Sequence, residues 1–264
     1  MKGDEKTWKY DYAEVNGTKL YYGLAGSGDA IVFIHGGYCD LRQWDDQGVP
    51  FTKHYKVLRY DLRGYGKSAV PVPNQRYTHH DDLKALLEYL GISKAHLCGA
   101  SFGSAVAVDF ALSYPEMCLS LIPVGPYAFG YRSPSTEKLN SILERIDSVF
   151  VKQGKTAVIN YICENPFFQM EPHTAKRFKE IGYDYSFWHY QNEDPADYVF
   201  PRAMKQIDKI NLPTLIITAN NDIEVCQEIA DVMAQKIPGS QKIIIADPLC
   251  THMFWHKDGT KKGE

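Results

Sequence analysis

The chain alternates between short, almost continuous apolar runs and longer stretches with helical spacing. Ala30–Ile34 is the clearest run, and similar ones stand at residues 56–60, 95–98, 119–124, 214–218 and 242–246. Runs of this kind suit strands buried on both faces, as in a parallel sheet. Residues 8–24 alternate in part around Asn16-Gly17, a dipeptide that favours a tight hairpin turn, so an antiparallel pair is expected ahead of them. Between the runs, residues 78–90 place Leu83, Leu86, Leu87 and Leu90 at spacings of three and four before Gly91. Residues 104–113 form a second helical pattern, ended by Tyr114-Pro115, and residues 222–236 a third, ended by Pro238-Gly239. Strands alternating with helices predict an α/β fold, with a mostly parallel sheet covered on both faces.

The rhythm breaks between residues 126 and 205. No buried-strand run occurs there, and helices are expected over 135–151, 155–164, 174–190 and 195–207. Residues 126–200 hold 15 of the chain's 34 Phe, Tyr and Trp side chains. That density suits an insertion with a small core of its own, or a lid whose aromatic face lines a substrate pocket. The expected organisation is a core of residues 1–125 and 206–264, with a helical cap over 126–205. Tyr38, Tyr127, Phe129, Phe167, Phe168 and Trp188 are the candidate substrate-binding residues.

At 264 residues the chain can bury a full core without a disulfide or metal staple. The balance of 29 basic against 32 acidic side chains leaves a formal charge of −3, which argues against a nucleic-acid or anionic-membrane surface. A composition of 44% apolar and 23% charged residues excludes disorder as the main state. No apolar run approaches the roughly 18 residues of a membrane span. The first six residues carry charge with no apolar stretch behind them, so no signal peptide is visible. The six cysteines are scattered without a C-x-x-C pair, and reduced thiols in a cytoplasmic protein are expected.

The chemistry concentrates at Gly99-Ala-Ser101-Phe-Gly103, a G-x-S-x-G pentapeptide. The pattern alone is common. Here it follows one buried run and opens a helix, which is the strand–turn–helix setting of a nucleophile elbow. On such a turn the flanking glycines avoid clashes, and the serine hydroxyl stands at the positive end of a helix. A serine needs a base to take its proton, and the base needs an orienting acid. Open α/β sheets gather such groups at the carboxyl ends of their strands. Asp222 follows one late run and His252 follows another, giving the chain order serine, acid, histidine. Asp247 and His256 are the rival acid and base, and Asp222 could instead cap a helix. A developing oxyanion needs backbone donors. Phe102 supplies one N–H, and the loop His35-Gly36-Gly37-Tyr38 the other, from Gly37 with Tyr38 as runner-up.

Taken together these residues resemble the α/β-hydrolase superfamily, and the likeness runs along nearly the whole chain. It rests on the His35-Gly36 loop, on Asp61-Leu-Arg-Gly-Tyr-Gly-Lys-Ser68, similar to the family's D-x-R-G-x-G-x-S, and on the elbow at Ser101, Asp222 and His252. The resemblance implies an eight-stranded, mostly parallel sheet and a helical cap inserted between its sixth and seventh strands. It also implies a carboxylesterase- or lactonase-like member that needs neither cofactor nor metal. Its partner would be a small-molecule ester or lactone, and the protein would be a monomer or homodimer. The Asp61–Ser68 segment looks structural in that family. A serine nucleophile is unlike the aspartate of haloalkane dehalogenases and epoxide hydrolases. The loop HGGYC differs from the HGGPG of proline iminopeptidases. Phe102 replaces the Met usual in perhydrolase-like and carbon–carbon bond hydrolase members. A small-molecule receptor on the same fold, a hydroxynitrile-lyase-like enzyme and an aminopeptidase stay open as alternatives. The chain ends 12 residues after His252, where members usually carry a longer final helix.

Three further patterns carry no chemistry. Gly66-Lys67-Ser68 looks like the end of a P-loop, but its first glycine would have to be residue 61, which is Asp61. His79-His80-Asp81-Asp82 suggests a metal but lies at an expected helix start, where Thr78 caps and acids suit the dipole. Asn16-Gly-Thr18 matches a glycosylation sequon within the expected hairpin turn.

Overall fold

The computed structural model describes residues 8–168 and 170–246. Its main sheet has eight strands: β1 (Lys9–Val15), β2 (Thr18–Ala25), β3 (Ala30–Ile34), β4 (Lys56–Tyr60), β6 (Ala95–Ala100), β7 (Cys118–Val124), β9 (Leu215–Ala219) and β10 (Gln241–Ile245). They lie in the order β1-β2-β4-β3-β6-β7-β9-β10. The Asn16-Gly17 turn joins an antiparallel β1–β2 pair, β2 runs antiparallel to β4, and the other pairings are parallel. Every residue of β3 is buried, which is why its sequence is an unbroken apolar run.

Helices cover the sheet: α1 (Asp45–Phe51), α2 (His79–Tyr89), α3 (Phe102–Ser113) and α8 (Glu224–Lys236). Thr78 caps α2 by accepting the Asp81 amide at 3.0 Å, as the sequence pattern predicts. Helix α1, preceded by a 3-10 turn over Leu41–Trp44, has no counterpart in the sequence expectations, because Gly48 and Pro50 lie inside it. Between β7 and β9 the chain inserts α4 (Pro134–Gln153), α5 (Lys155–Glu164), α6 (Pro172–Gly182) and α7 (Trp188–Gln191).

Two expected helices of this insertion differ. The pattern over 174–190 breaks after Gly182, and Phe187 takes a left-handed backbone (φ +56°) before α7 restarts. Residues 195–207 form no α-helix. Strand β8 (Ala196–Asp197) pairs instead with β5 (Tyr77–Thr78), and 3-10 turns follow at Ala203–Lys205 and Ile207–Lys209. Pro195 and Pro201 remove amide donors and push the residue before each out of helical geometry. Asp109 of α3 holds this return segment by accepting the Val199 amide at 3.3 Å, and burial pushes its carboxyl up to about 7.

The Asp61–Ser68 turn earns each of its residues. Asp61 accepts the amides of Leu41 (2.8 Å) and Lys67 (2.7 Å), and burial raises its carboxyl to about 7. A Cβ at Gly66 would lie 2.2 Å from that carboxylate. Ser68 Oγ donates to the Asp61 carbonyl at 2.6 Å and accepts the Tyr21 amide at 2.9 Å. Arg63 meets Asp82 of α2 through two hydrogen bonds (2.6 and 2.9 Å), both side chains 1% exposed. Burial raises Asp82 although Arg63 pulls it down, so the pair fixes geometry more than it adds stability. Among the described residues no helix is long and apolar enough to cross a membrane, no metal-binding cluster occurs, and Cys39, Cys98, Cys118 and Cys163 are free thiols.

Replacing Asp82 by Ala leaves a buried guanidinium without its partner. The expected loss is about 3–5 kcal/mol of unfolding free energy, measured by urea denaturation.

Candidate active site

The elbow is built by crowding. At Gly99 a Cβ would lie 2.2 Å from the Gly103 carbonyl oxygen, and at Gly103 it would lie 2.3 Å from that of Ile34 and 2.5 Å from that of His35. Helix α3 can therefore start tight against the end of β3 only if both positions lack side chains. The turn between them forces Ser101 to φ +50°, ψ −116°, a region that costs a non-glycine residue about 1–3 kcal/mol. The Ser101 amide donates to Val124 O at 3.0 Å, and its carbonyl accepts from Ser104 (2.9 Å) and Ala105 (3.3 Å). Phe102, next in the chain, is the first residue of α3, where N–H groups have no intrahelical partner.

The loop after β3 lies against this turn. A Cβ at Gly36 would sit 3.3 Å from Ala100 O and 3.5 Å from Ser101 Cβ, whereas one at Gly37 would meet nothing within 4 Å. Gly36 donates its N–H to Gln43 Oε1 at 2.7 Å, so the next donors along the loop belong to Gly37 and Tyr38. His35 fixes the loop from beneath. Its Nε2 accepts the Leu62 amide at 3.0 Å, which leaves Nδ1 protonated to donate to the Gly36 carbonyl at 2.8 Å. Burial lowers the imidazole pKa to about 4, consistent with a neutral ring of one tautomer.

Asp222 sits in the turn after β9, 4% exposed, at the same carboxyl end of the sheet as Ser101. Thr218 Oγ1 donates to its Oδ2 and the Ile223 amide to its Oδ1, both at 3.1 Å. Helix α8 begins two residues later with Glu224. His252, and the rivals Asp247 and His256, lie outside the described residues.

The structure sorts the aromatic candidates. Phe102 contacts Phe129 (6.2 Å between centroids), which contacts Tyr127 (5.5 Å) and Tyr198 (3.9 Å). Tyr127 is tied to the elbow helix, because Ser104 Oγ accepts its amide and donates to its carbonyl, both at 2.8 Å. Tyr38 joins a cluster from the insertion: its ring lies 6.0–6.2 Å from Tyr185, Phe187 and Tyr190, and its hydroxyl bonds that of Tyr190. Burial raises Tyr38 to about 12. Phe167 and Phe168 pack edge to face on each other within the insertion. Trp188 packs edge to face on His189 (5.5 Å) and lines a surface depression of about 420 Å³ with Arg76 and Asp197.

Several residues at the site had no sequence signal. Tyr65 stacks on Tyr185 (5.1 Å) and lies 6.2 Å from Phe102. Tyr185 shares a hydrogen bond with His189 Nδ1 at 2.8 Å, and burial lowers the His189 pKa. A Cβ at Gly64 would lie 2.4 Å from His189 Cε1, so the insertion sits closely on the Asp61–Ser68 turn. Gln43 bonds a backbone seven residues away, and nothing in its neighbours announces that.

A family model described as the alpha/beta hydrolase fold matches residues 29–160. Curated relatives include a 2-hydroxy-6-oxo-6-phenylhexa-2,4-dienoate hydrolase of Comamonas testosteroni, 34% identical over 117 residues, covering 42% of this chain and 41% of the relative. A 2-hydroxy-6-oxononadienedioate/2-hydroxy-6-oxononatrienedioate hydrolase of the same organism is 36% identical over 118 residues, with the same coverage. The chain thus spans about two fifths of the length of these relatives. Among solved structures, the enol-lactonase from Burkholderia xenovorans LB400 is 23% identical with a TM-score of 0.70, covering 92% of this chain and 93% of that one. An esterase from Exiguobacterium antarcticum is also 23% identical, with a TM-score of 0.73 over 89% and 90% of the two chains. These two likenesses show the fold.

Two outcomes are expected here. Gly103→Ala drives a methyl into two carbonyl oxygens and costs at least about 2 kcal/mol in chemical denaturation. For His35, the folded pKa of about 4 lies below the ordinary 6.5, so between those values the unfolded chain binds more protons. Stability from this group is whole above pH 6.5 and is lost as pH falls toward 4, by up to about 3 kcal/mol. The difference between wild-type and His35→Gln unfolding curves, taken from pH 4 to 7.5, isolates it.

Proposed function

We propose, since the chain belongs to the α/β-hydrolase fold family, that it is a serine hydrolase cleaving a small, largely apolar ester or lactone through an acyl-enzyme. The observation that carries this reading is Ser101 itself, held at φ +50° on the strand–helix turn with the Gly36-Gly37 loop against it. Such a backbone is costly and recurs where function needs it.

In this reading Ser101 Oγ attacks the substrate carbonyl carbon while His252 takes the hydroxyl proton. The electron pair moves to the carbonyl oxygen, and the N–H groups of Phe102 and Gly37 hold the resulting charge. Asp222 orients His252 and stabilises the imidazolium. His252 then gives its proton to the leaving oxygen, and the carbonyl reforms as the acyl-enzyme. A water, deprotonated by His252, attacks the acyl carbon, and the proton returns to Ser101 as the acid leaves. The aromatic shell of Tyr38, Tyr65, Phe102, Phe129 and Tyr185 favours an apolar acyl group, with the insertion 126–205 acting as its cap. Phe167, Phe168 and Trp188 are further candidates in the cap. The protein acts on a small molecule without cofactor or metal, as a cytoplasmic monomer or homodimer.

The 34–36% identity to dienoate hydrolases favours a second reading, in which the same serine apparatus cleaves a carbon–carbon bond beside a ketone. Phe102 in place of Met supports the ester reading.

A p-nitrophenyl ester series from acetate to dodecanoate tests the choice. Wild type is expected to turn over short or medium esters at about 1–10³ s⁻¹, and Ser101→Ala to lose at least about 10³ in kcat/KM. Turnover retained by Ser101→Ala overturns the assignment, and turnover of a 2-hydroxy-6-oxo dienoate but of no ester selects the second reading.

A further inference from the structure

We propose that the cap sets the geometry of the oxyanion loop through an ionic clasp, which makes Arg177 and Gln43 positioning residues for the hydrolysis inferred above. The proposal rests on that reading of the site.

The clasp joins α6 and the residues after it to the 3-10 turn Leu41–Trp44 and its flanks. Arg177 of α6 uses one nitrogen, Nη2, to donate to the Arg42 carbonyl at 3.2 Å and to the Asp45 carboxylate. The Arg42 guanidinium in turn bonds the Asp40 carboxylate at 2.6–3.0 Å and lies 2.9 Å from Asp184, which follows α6. The cap thus grips residues 42 and 45, on either side of Gln43.

Gln43 is 6% exposed and accepts the Gly36 N–H at 2.7 Å. Gly36 lies against Ser101 and precedes Gly37, the proposed oxyanion donor. A continuous path therefore runs from a cap arginine, through one short turn, to the donor that faces the reacting carbonyl. Donors of this kind act only when placed correctly, and a misplacement of about 1 Å can cost on the order of a hundredfold in rate.

The Arg177 arm of the clasp is poorly suited to a role in global stability. Arg177, Arg42 and Asp45 are 34–41% exposed and Asp184 66%, a setting in which ion pairs add little; only Asp40 (8% exposed) and the buried Arg59 that also bonds Asp45 lie deeper. Four of its members, Asp40, Arg42, Asp45 and Asp184, line an open groove of about 720 Å³, so salt reaches it. An ion pair this exposed, spent on residues that flank the anchor of the oxyanion loop, fits control of geometry.

The test compares wild type, Arg177→Ala and Arg177→Lys on the best p-nitrophenyl ester, with a trifluoromethyl ketone as probe of the oxyanion. The ketone adds to Ser101 and places a negative oxygen in the hole. In Arg177→Ala, kcat is expected to fall about five- to tenfold with KM within about twofold, and the ketone's inhibition constant to rise by the same factor as kcat/KM falls. Arg177→Lys is expected to recover most of the loss, and the melting temperature to stay within about 2 °C of wild type in both. An unchanged kcat, a change in KM alone, or a melting temperature lowered in step with activity overturns the clasp. Labelling of wild type by a fluorophosphonate, absent in Ser101→Ala, separates the two failures. If wild type neither hydrolyses esters nor takes the label, the hydrolase reading falls and the clasp with it. If it does both and Arg177→Ala behaves as wild type, the clasp falls alone.

Discussion

The close crossing of α3 over the end of β3 is the constraint on which the site depends. Carbonyl oxygens of Ile34 and His35 occupy the space where a side chain at residue 103 would stand, and the Gly103 carbonyl does the same for residue 99. With both flanks fixed, the intervening turn has one way to pass, and Ser101 takes the strained backbone that results. The same contact brings the loop after β3 alongside the proposed nucleophile, because His35 follows directly on the strand and starts that loop. The proposed nucleophile and the proposed oxyanion donors are therefore placed by one packing event rather than by two.

A second layer of the architecture holds that loop from outside. His35 and Asp61 pin it to the Asp61–Ser68 turn, Gln43 pins it to the 3-10 turn that follows, and Tyr38 pins it to the helical insertion through Tyr190. The buried Arg63–Asp82 pair then ties the Asp61–Ser68 turn to α2. Each of these supports is a polar group buried at a stated cost in desolvation, visible in the lowered pKa of His35 and the raised values of Asp61 and Asp82. Polar groups retained at such a cost specify arrangement. The geometry of a loop with two adjacent glycines needs that specification, since glycine imposes little of its own.

What could be read from the sequence follows from how local each cause is. All six apolar runs appear as parallel-paired strands within two residues of their expected bounds. Strand β10, however, is not buried as its sequence suggested: Ile243 and Ile244 are 49% and 51% exposed at the edge of the sheet among the described residues. The elbow was legible because its cause, two glycines around a serine between strand and helix, lies within five residues. The end of the insertion was not: residues 183–207 follow contacts with Gly64, Asp109 and β5, each far away in the chain. Gln43 escaped for the same reason, and so did Tyr65, Tyr185 and Tyr190, whose contacts arise only where the insertion packs on the rest of the chain. Trp188 lies in the expected segment, packed on His189 and at the edge of a surface depression.

The described thiols add a chemical consequence. Burial raises Cys118 to about 12 and Cys163 to about 11, and lifts Cys39 and Cys98 further still. At neutral pH these four sulfurs stay protonated, and all but the half-buried Cys163 are sheltered, so they are poor nucleophiles. If Ser101 is the nucleophile proposed above, an electrophile entering the protein meets it against these four quiet thiols. That contrast makes mildly electrophilic carbamates and β-lactones, which often stray onto thiols, selective reporters of the serine in this chain.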